Sequence, residues 1–173
     1  MAQKYSDNEG PQGGDYTVPG LGKDNGHEVA GLLQGRLHAL NDLHLVLKHV
    51  HWNVVGPNFI AIHEMLDPQT ETVRGFADDI AERIATLGGA PSGLSGELVS
   101  SRSWEDYPLF KASGEEHLAE LDKVYTGLLE DHRDVLGKVG QIDPITEDIL
   151  IGQVKDLELF QWFIRSHLQK AGS

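Results

Sequence analysis

Cysteine is missing from this 173-residue chain. Its absence excludes disulfides and thiolate metal ligands and fits a reducing compartment. Basic charge is scarce: 14 Lys and Arg stand against 27 Asp and Glu, for a formal net charge of −13. Holding a nucleic-acid backbone by charge needs the opposite balance, because Lys and Arg must displace the counterions of the phosphates. There is no apolar run long enough to span a bilayer and no basic-then-apolar leader at the start. The expected location is therefore the cytoplasm, with no membrane partner. Any metal must be held by imidazole and carboxylate, donors that suit iron, manganese or zinc rather than Cu(I).

What the chain does have is 39% hydrophobic residues, enough for one core. Residues 1–26 are rich in Gly, Pro and polar side chains and read as a flexible arm. The arm is net acidic, with Lys4 and Lys23 against Asp7, Glu9, Asp15 and Asp24. Helical spacing then begins near His27 and runs to Val55, with Leu33, Leu37, Leu40, Leu43, Leu47, Val50 and Val54 on one stripe. Gly56-Pro57 stops that helix and Asn58 is placed to cap a second, from Phe59 to Leu87. A long Gly/Ser/Pro-rich connection, expected to hold a short helix near Trp104, leads to a third helix over 115–138. Asp143 as N-cap and Pro144 at the first position open a fourth, ending near Leu168. The reading is an all-α four-helix bundle over 27–169 with one long crossover, the ferritin-like topology, and a short tail at 170–173.

Within the second helix, His63, Asp67, Asp78 and Glu82 are spaced 4, 11 and 4 apart. At about 100° per residue they share one face, within an arc of about 100°. They do not share one place, since Asp67 and Asp78 lie roughly 16 Å apart along the axis. The outer and inner pairs have the same midpoint, between Thr72 and Val73. A two-fold axis there lays an antiparallel copy alongside, with His63 level with the second copy's Glu82 and Asp67 level with its Asp78. Across the Gly56-Pro57 turn, His51 falls nearly level with His63. His51, His63 and Asp67 from one chain, with Asp78 and Glu82 from another, make a site for a borderline-hard redox metal. No Glu-x-x-His occurs anywhere, the i, i+3 pair with which di-iron bundles hold metal inside one subunit. His38, His44, His49, His117, His132 and His167 read as surface or buried structural residues.

The stretch from His51-Trp52-Asn53 through Gly56-Pro57-Asn58 to His63-Glu64-Met65-Leu66-Asp67, followed by Asp78 and Ala81-Glu82-Arg83, resembles the signature of the Dps proteins. These are mini-ferritins named as DNA-binding proteins from starved cells. Asn41-Asp42-Leu43-His44, Leu87-Gly88-Gly89 and Gln161-Trp162-Phe163 are similar as well, so the resemblance spans about residues 28–168. It implies a hollow dodecamer with ferroxidase centres at its two-fold interfaces, formed by His51, His63 and Asp67 of one subunit and Asp78 and Glu82 of its neighbour. Each centre would take two iron ions, or one tightly and one weakly. The implied reaction is oxidation of Fe²⁺, with hydrogen peroxide preferred over oxygen, and storage of ferric mineral in the shell. Trp52 would serve as electron donor or radical sink, against a plain role in the core. An acidic iron inlet at a three-fold axis would be lined by Asp148, with Asp143 and Glu147 beside it.

The chain departs from the DNA-binding members, whose tails are rich in Lys and Arg. After Phe163 it offers only Arg165 and Lys170. DNA binding is expected to be weak or absent. The competing function is a nucleoid-associated, DNA-protecting protein with secondary iron chemistry. A structural bundle without chemistry is disfavoured because all five ligand positions hold metal-binding residue types.

Overall fold

The computed structural model describes residues 14–169. Among them, α1 spans Lys23–Asn53, α2 Phe59–Thr86, the short α3 Ser95–Ser101, α4 Gly114–Val139 and α5 Pro144–Leu168. Two-residue strands β1 (Val54–Val55) and β2 (Ala112–Ser113) form a parallel bridge. The expected stripe of α1 is buried in full, from Leu33 to Val54. On α4, Leu118, Leu121, Tyr125, Leu128 and Leu129 face the same core, and α5 adds Leu150, Val154, Leu157 and Ile164. Each such side chain withdrawn from water contributes roughly 1.5–3 kcal/mol before conformational entropy is counted.

α1 packs against α2 and α4 against α5, while α1 also meets α4 and α2 meets α5. Short turns make both hairpins antiparallel. The β1–β2 bridge brings the start of α4 to the end of the bundle where α2 starts, so α2 and α4 run the same way. Only the long crossover over residues 87–113 permits that, which is the ferritin-like arrangement. Ser113 secures the start of α4 with a capping box: its hydroxyl accepts from the Glu116 N–H and its own N–H donates to the Glu116 carboxylate. Such caps contribute about 1 kcal/mol.

Two expectations need correction. The first concerns the N-terminal boundary: α1 begins at Lys23 rather than His27, and residues 14–22 lie against the bundle. The Gly14 N–H donates to the Gly88 carbonyl at 2.6 Å and the Tyr16 hydroxyl to that of Ala85 at 3.2 Å, with Val18 and Leu21 packed on the core. Gly88 makes the approach possible. Its φ is +92°, and a Cβ there would collide with the Tyr16 carbonyl. The rest of the expected arm, residues 1–13, and the tail at 170–173 lie outside the described residues. The second concerns Asn58, which precedes α2 but makes no side-chain cap. At φ −98°, ψ 15° its backbone is not extended as a capping residue's is, and it contributes only its carbonyl, to the Ile62 N–H.

The middle of the bundle is not wholly apolar. The Tyr125 hydroxyl donates to Gln69 Oε1 at 2.9 Å, and His132 Nε2 lies 3.1 Å from Gln153 Oε1. Gln153 in turn donates to the Phe76 carbonyl at 3.2 Å. Burial pushes the His132 imidazole down to about 4, only partly offset by Gln153, and raises the Tyr125 phenol far above its ordinary range. These interior groups are therefore neutral at physiological pH.

Candidate metal centre

His51 stands in the last turn of α1 and His63 in the second turn of α2, joined by a turn in which Gly56 takes φ +108°. That turn sets the two imidazoles face to face, with centroids 3.6 Å apart and planes 22° from parallel. The bonding is reciprocal: His51 Nδ1 lies 3.0 Å from the His63 carbonyl, and His63 Nδ1 lies 2.9 Å from the His51 carbonyl. A carbonyl only accepts, so each Nδ1 carries the proton and donates it. Each Nε2 is left with its lone pair, the state an imidazole needs to bind a metal.

Asp67 lies one helical turn beyond His63, with Oδ1 3.3 Å from His51 Nδ1. Among the described residues, His51, His63 and Asp67 form the one cluster able to offer three ligand atoms within 4.8 Å of one another. His51 is buried, His63 half-buried and Asp67 exposed, so the cluster opens onto the surface. Asp78 and Glu82 do not join it within the subunit. They sit exposed farther along α2, and Glu82 lines a cleft between α2 and α5 together with Asp79, Asp148 and Asp156.

Lys48 escaped the sequence reading. Its Nζ lies 3.2 Å from Asp67 Oδ1 and 5.8 Å from the Trp52 ring centroid. The ammonium thus rests where a metal cation would otherwise balance the carboxylate. The available signal was spacing: Lys48 and Trp52 are one turn apart on α1, and the hairpin register sets Asp67 opposite. Phe59, also missed, places its ring 5.0 Å from that of His63.

Trp52 does not pack in the subunit core. It is 71% exposed beside the cluster, which removes the core-packing alternative within one subunit. Asp143, expected beside the inlet, is engaged within the subunit. It is buried, caps the Ile145 N–H, accepts from Thr146 and pairs with Arg83 at 2.7 Å. Burial alone would raise its carboxyl, but the Thr146 and Arg83 hydrogen bonds and the Arg83 charge hold it below its ordinary value. Those partners engage both of its carboxylate oxygens. Glu147 is half-buried over Gly140, whereas Asp148 is exposed.

Comparison with known proteins agrees with this fold. The family model described as a ferritin-like domain matches residues 30–172. The DNA protection during starvation protein of Mycolicibacterium smegmatis is 53% identical over 157 residues, covering 91% of this chain and 86% of that protein. The fine tangled pili major subunit of Haemophilus ducreyi is 56% identical over 154 residues, covering 89% and 82%. Among solved structures, DpsA14 from Streptomyces coelicolor superposes with a TM-score of 0.91 at 56% identity, covering 94% of this chain and 97% of that one. Mycobacterium smegmatis Dps gives 0.89 at 52% identity, covering 91% and 97%. With the ferritin-like bundle and relatives of this identity in agreement, the chain belongs to the Dps family of ferritin-like proteins.

Proposed function

We propose that this protein is a ferroxidase and iron-storage shell, and that its reaction centre is shared between two subunits of a dodecamer. The observation that carries this reading is the reciprocal His51–His63 pair beside Asp67, which presents two imidazole Nε2 atoms and a carboxylate at a surface that another subunit can cover. Asp78 and Glu82, stranded on the same helix, supply the missing carboxylates from the neighbour. Two Fe²⁺ ions are the substrate. Each gives one electron to hydrogen peroxide, whose O–O bond breaks to two oxygens at the level of water, with two protons taken up. Pairing the electrons avoids the one-electron product, hydroxyl radical.

The protein residues hold and balance charge. Imidazole and carboxylate donors suit both Fe²⁺ and the harder Fe³⁺. Lys48 yields Asp67 to the arriving cation, so the site exchanges one positive charge for another. Trp52, exposed beside the cluster, is placed to give an electron to an oxidant left unpaired. Asp148 lines the cleft that Glu82 also borders, which supports its role as an inlet carboxylate. The net charge of −13 per chain favours cation delivery and disfavours binding to DNA phosphates. The proposed location is the cytoplasm; among the described residues, no helix is long and apolar enough to cross a membrane.

Anaerobic addition of Fe²⁺ and peroxide tests the reading. Ferric absorbance is expected to rise quickly at about two Fe²⁺ per peroxide, the ratio set by electron count. The paired change His63→Ala, Asp67→Ala is expected to slow it by about 100-fold while the shell still assembles, since even outer-shell losses at metal sites cost 10–100-fold. Retention of full rate removes the site assignment. On DNA, a clear plasmid gel shift at neutral pH and moderate salt would favour the competing nucleoid reading; none is expected.

A further inference from the structure

Between α1 and α4, under the crossover segment 103–108, lies a second concavity that the iron chemistry does not use. It holds about 350 Å³, within the range of small-molecule pockets. Its floor is apolar, from Ala39, Leu43 and Val46 of α1 and Val124 and Leu128 of α4. Trp104 and Tyr107 contribute to its lining from the crossover. Both are held in place rather than free to collapse inward: Trp104 Nε1 donates to Asp42 at 2.6 Å, and the Tyr107 hydroxyl donates to the His117 carbonyl at 3.1 Å.

On α4 a glycine stands at position 127 of the lining. Gly127 lines the cavity, and a Cβ built there meets nothing within 4 Å. A larger side chain at this position would enter open space, and it would also replace a residue that costs about 1 kcal/mol relative to alanine in a helix interior.

The border is acidic. Asp42, Glu105, Asp106, Glu120, Glu130 and Asp131 line the cavity against the single cation Lys123. Lys123 is paired with Glu120, and Arg102 pairs with Asp42 and Asp106. Among the described residues, no Lys, Arg or His lies within ion-pair distance of Glu105 or Glu130. These carboxylates are not gathered closely enough to hold a bare metal ion, since the three-ligand cluster of the described residues is the one at His51. An apolar floor with aromatic lining and unneutralised carboxylates at the border select one class of ligand.

We propose that this cavity binds a small organic cation: an ammonium group carried on an aromatic or branched apolar body. The body displaces water from Leu43, Val46 and Leu128. The ammonium stays at the border near Glu130 and Glu105, within reach of cation–π attraction from the aromatic rings. An anion of the same shape meets the carboxylates of Glu105 and Glu130, which keep their charge after Lys123 pairs with Glu120, Arg102 with Asp42 and Asp106, and Arg36 with Asp131. The site is independent of the ferroxidase reading and stands on the cavity alone.

The test uses the assembled, full-length protein and ¹⁹F NMR of 4-fluorophenethylammonium, with 3-(4-fluorophenyl)propionate as the anionic counterpart. Saturable binding of the cation is expected, with the anion at least about tenfold weaker, a difference of about 1.4 kcal/mol. Gly127→Leu fills the space with a better helix former, so it is expected to assemble, melt no lower than wild type and bind the cation at least about tenfold more weakly. Glu130→Gln, an exposed change that leaves the core untouched, is expected to narrow the preference for cation over anion. Equal binding of the two probes, undiminished binding to Gly127→Leu, an unchanged preference in Glu130→Gln, or no saturation at millimolar probe would each overturn the proposal.

Discussion

At the end of the α1–α2 hairpin, His51 and His63 give their Nδ1 protons to each other's backbone and keep Nε2 open. In the middle of the bundle, His132 reaches Gln153, and Tyr125 reaches Gln69. The first group ends in unsatisfied lone pairs and a carboxylate that faces solvent. The second is made of neutral side chains paired away from water, with Gln69 Nε2 and His132 Nδ1 left without partners. Many di-iron bundles place their metals between the four helices with carboxylates and Glu-x-x-His pairs. Here that volume holds amides, a phenol and an uncharged imidazole, none of which can balance a buried Fe²⁺ charge. The one three-ligand cluster among the described residues stands instead at the outside of one hairpin, and on the proposed reading a single subunit supplies only part of the donor set. The comparison teaches that residue type alone does not separate ligand from scaffold; what the other ring nitrogen and the neighbouring oxygens are doing does.

The most demanding way to break this comparison is to divide the centre between chains. Asp67→Ala and Asp78→Ala subunits are each expected to be inactive alone. When they are refolded together in equal amounts, half of the two-fold pairs are mixed, and each mixed pair holds one intact centre of its two. About a quarter of wild-type ferroxidation should return. If none does, the two carboxylates do not meet across an interface.

The interior makes the next-largest prediction. The folded His132 value, about 4, lies below the ordinary 6.5, so between these values the unfolded chain binds the extra proton. The contribution of neutral His132 is thus complete above pH 6.5 and lost as the pH falls towards 4, on the order of 3 kcal/mol in all. Denaturant titrations across that window will show wild type losing stability more steeply than His132→Leu. Parallel slopes would mean that His132 does not drive the acid response.

A smaller effect follows from Tyr125→Phe. It leaves Gln69 Oε1 buried without its donor, at a cost of about 1–3 kcal/mol in unfolding free energy and none in ferroxidation rate. A rate that falls with stability intact would place the interior in the chemistry after all. Lys48→Met sharpens the other side. An exposed ion pair of this kind contributes roughly 0.2–1 kcal/mol, so Fe²⁺ affinity measured by calorimetry is expected to rise by less than about fivefold. A fall in affinity would show that Lys48 helps to assemble the site rather than competing for Asp67.

The helices were legible because each carries a continuous apolar stripe, and the α1 stripe from Leu33 to Val54 is buried as expected. Asp143-Pro144 was legible as a helix start because cap and ring act within a few residues, and the structure retains both. The start of α1 was hidden. The polar run Lys23-Asp24-Asn25 has no stripe, and what fixes it is a distant contact, Gly88 accepting the chain at Tyr16. The interior network was hidden for a related reason. Gln69, His132 and Gln153 are isolated polar letters at inward positions, and only the three-dimensional structure shows that Gln69 meets Tyr125 and that His132 meets Gln153. In the candidate centre, spacing pointed to His51, His63 and Asp67, which the structure brings together, while the backbone carbonyls that orient both imidazoles leave no mark in a side-chain pattern. Lys48 was overlooked because a basic residue is not sought among metal ligands, although proximity to Asp67 is what a paired cation needs.

The parallel bridge of Val54–Val55 with Ala112–Ser113 has a bearing on how this chain can change length. It makes the segment from the hairpin turn to the start of α4 a closed excursion that departs from and returns to the same spot. Residues added to the crossover inside that excursion lengthen a loop whose ends are already fixed. Doubling such a loop costs only about 0.6 kcal/mol. Insertions there can be absorbed without shifting α4 or the two histidines at the foot of the bridge, whereas a single residue inserted between His51 and His63 would break their register. Between its anchored side chains the crossover can take in added residues; the turn beside it cannot.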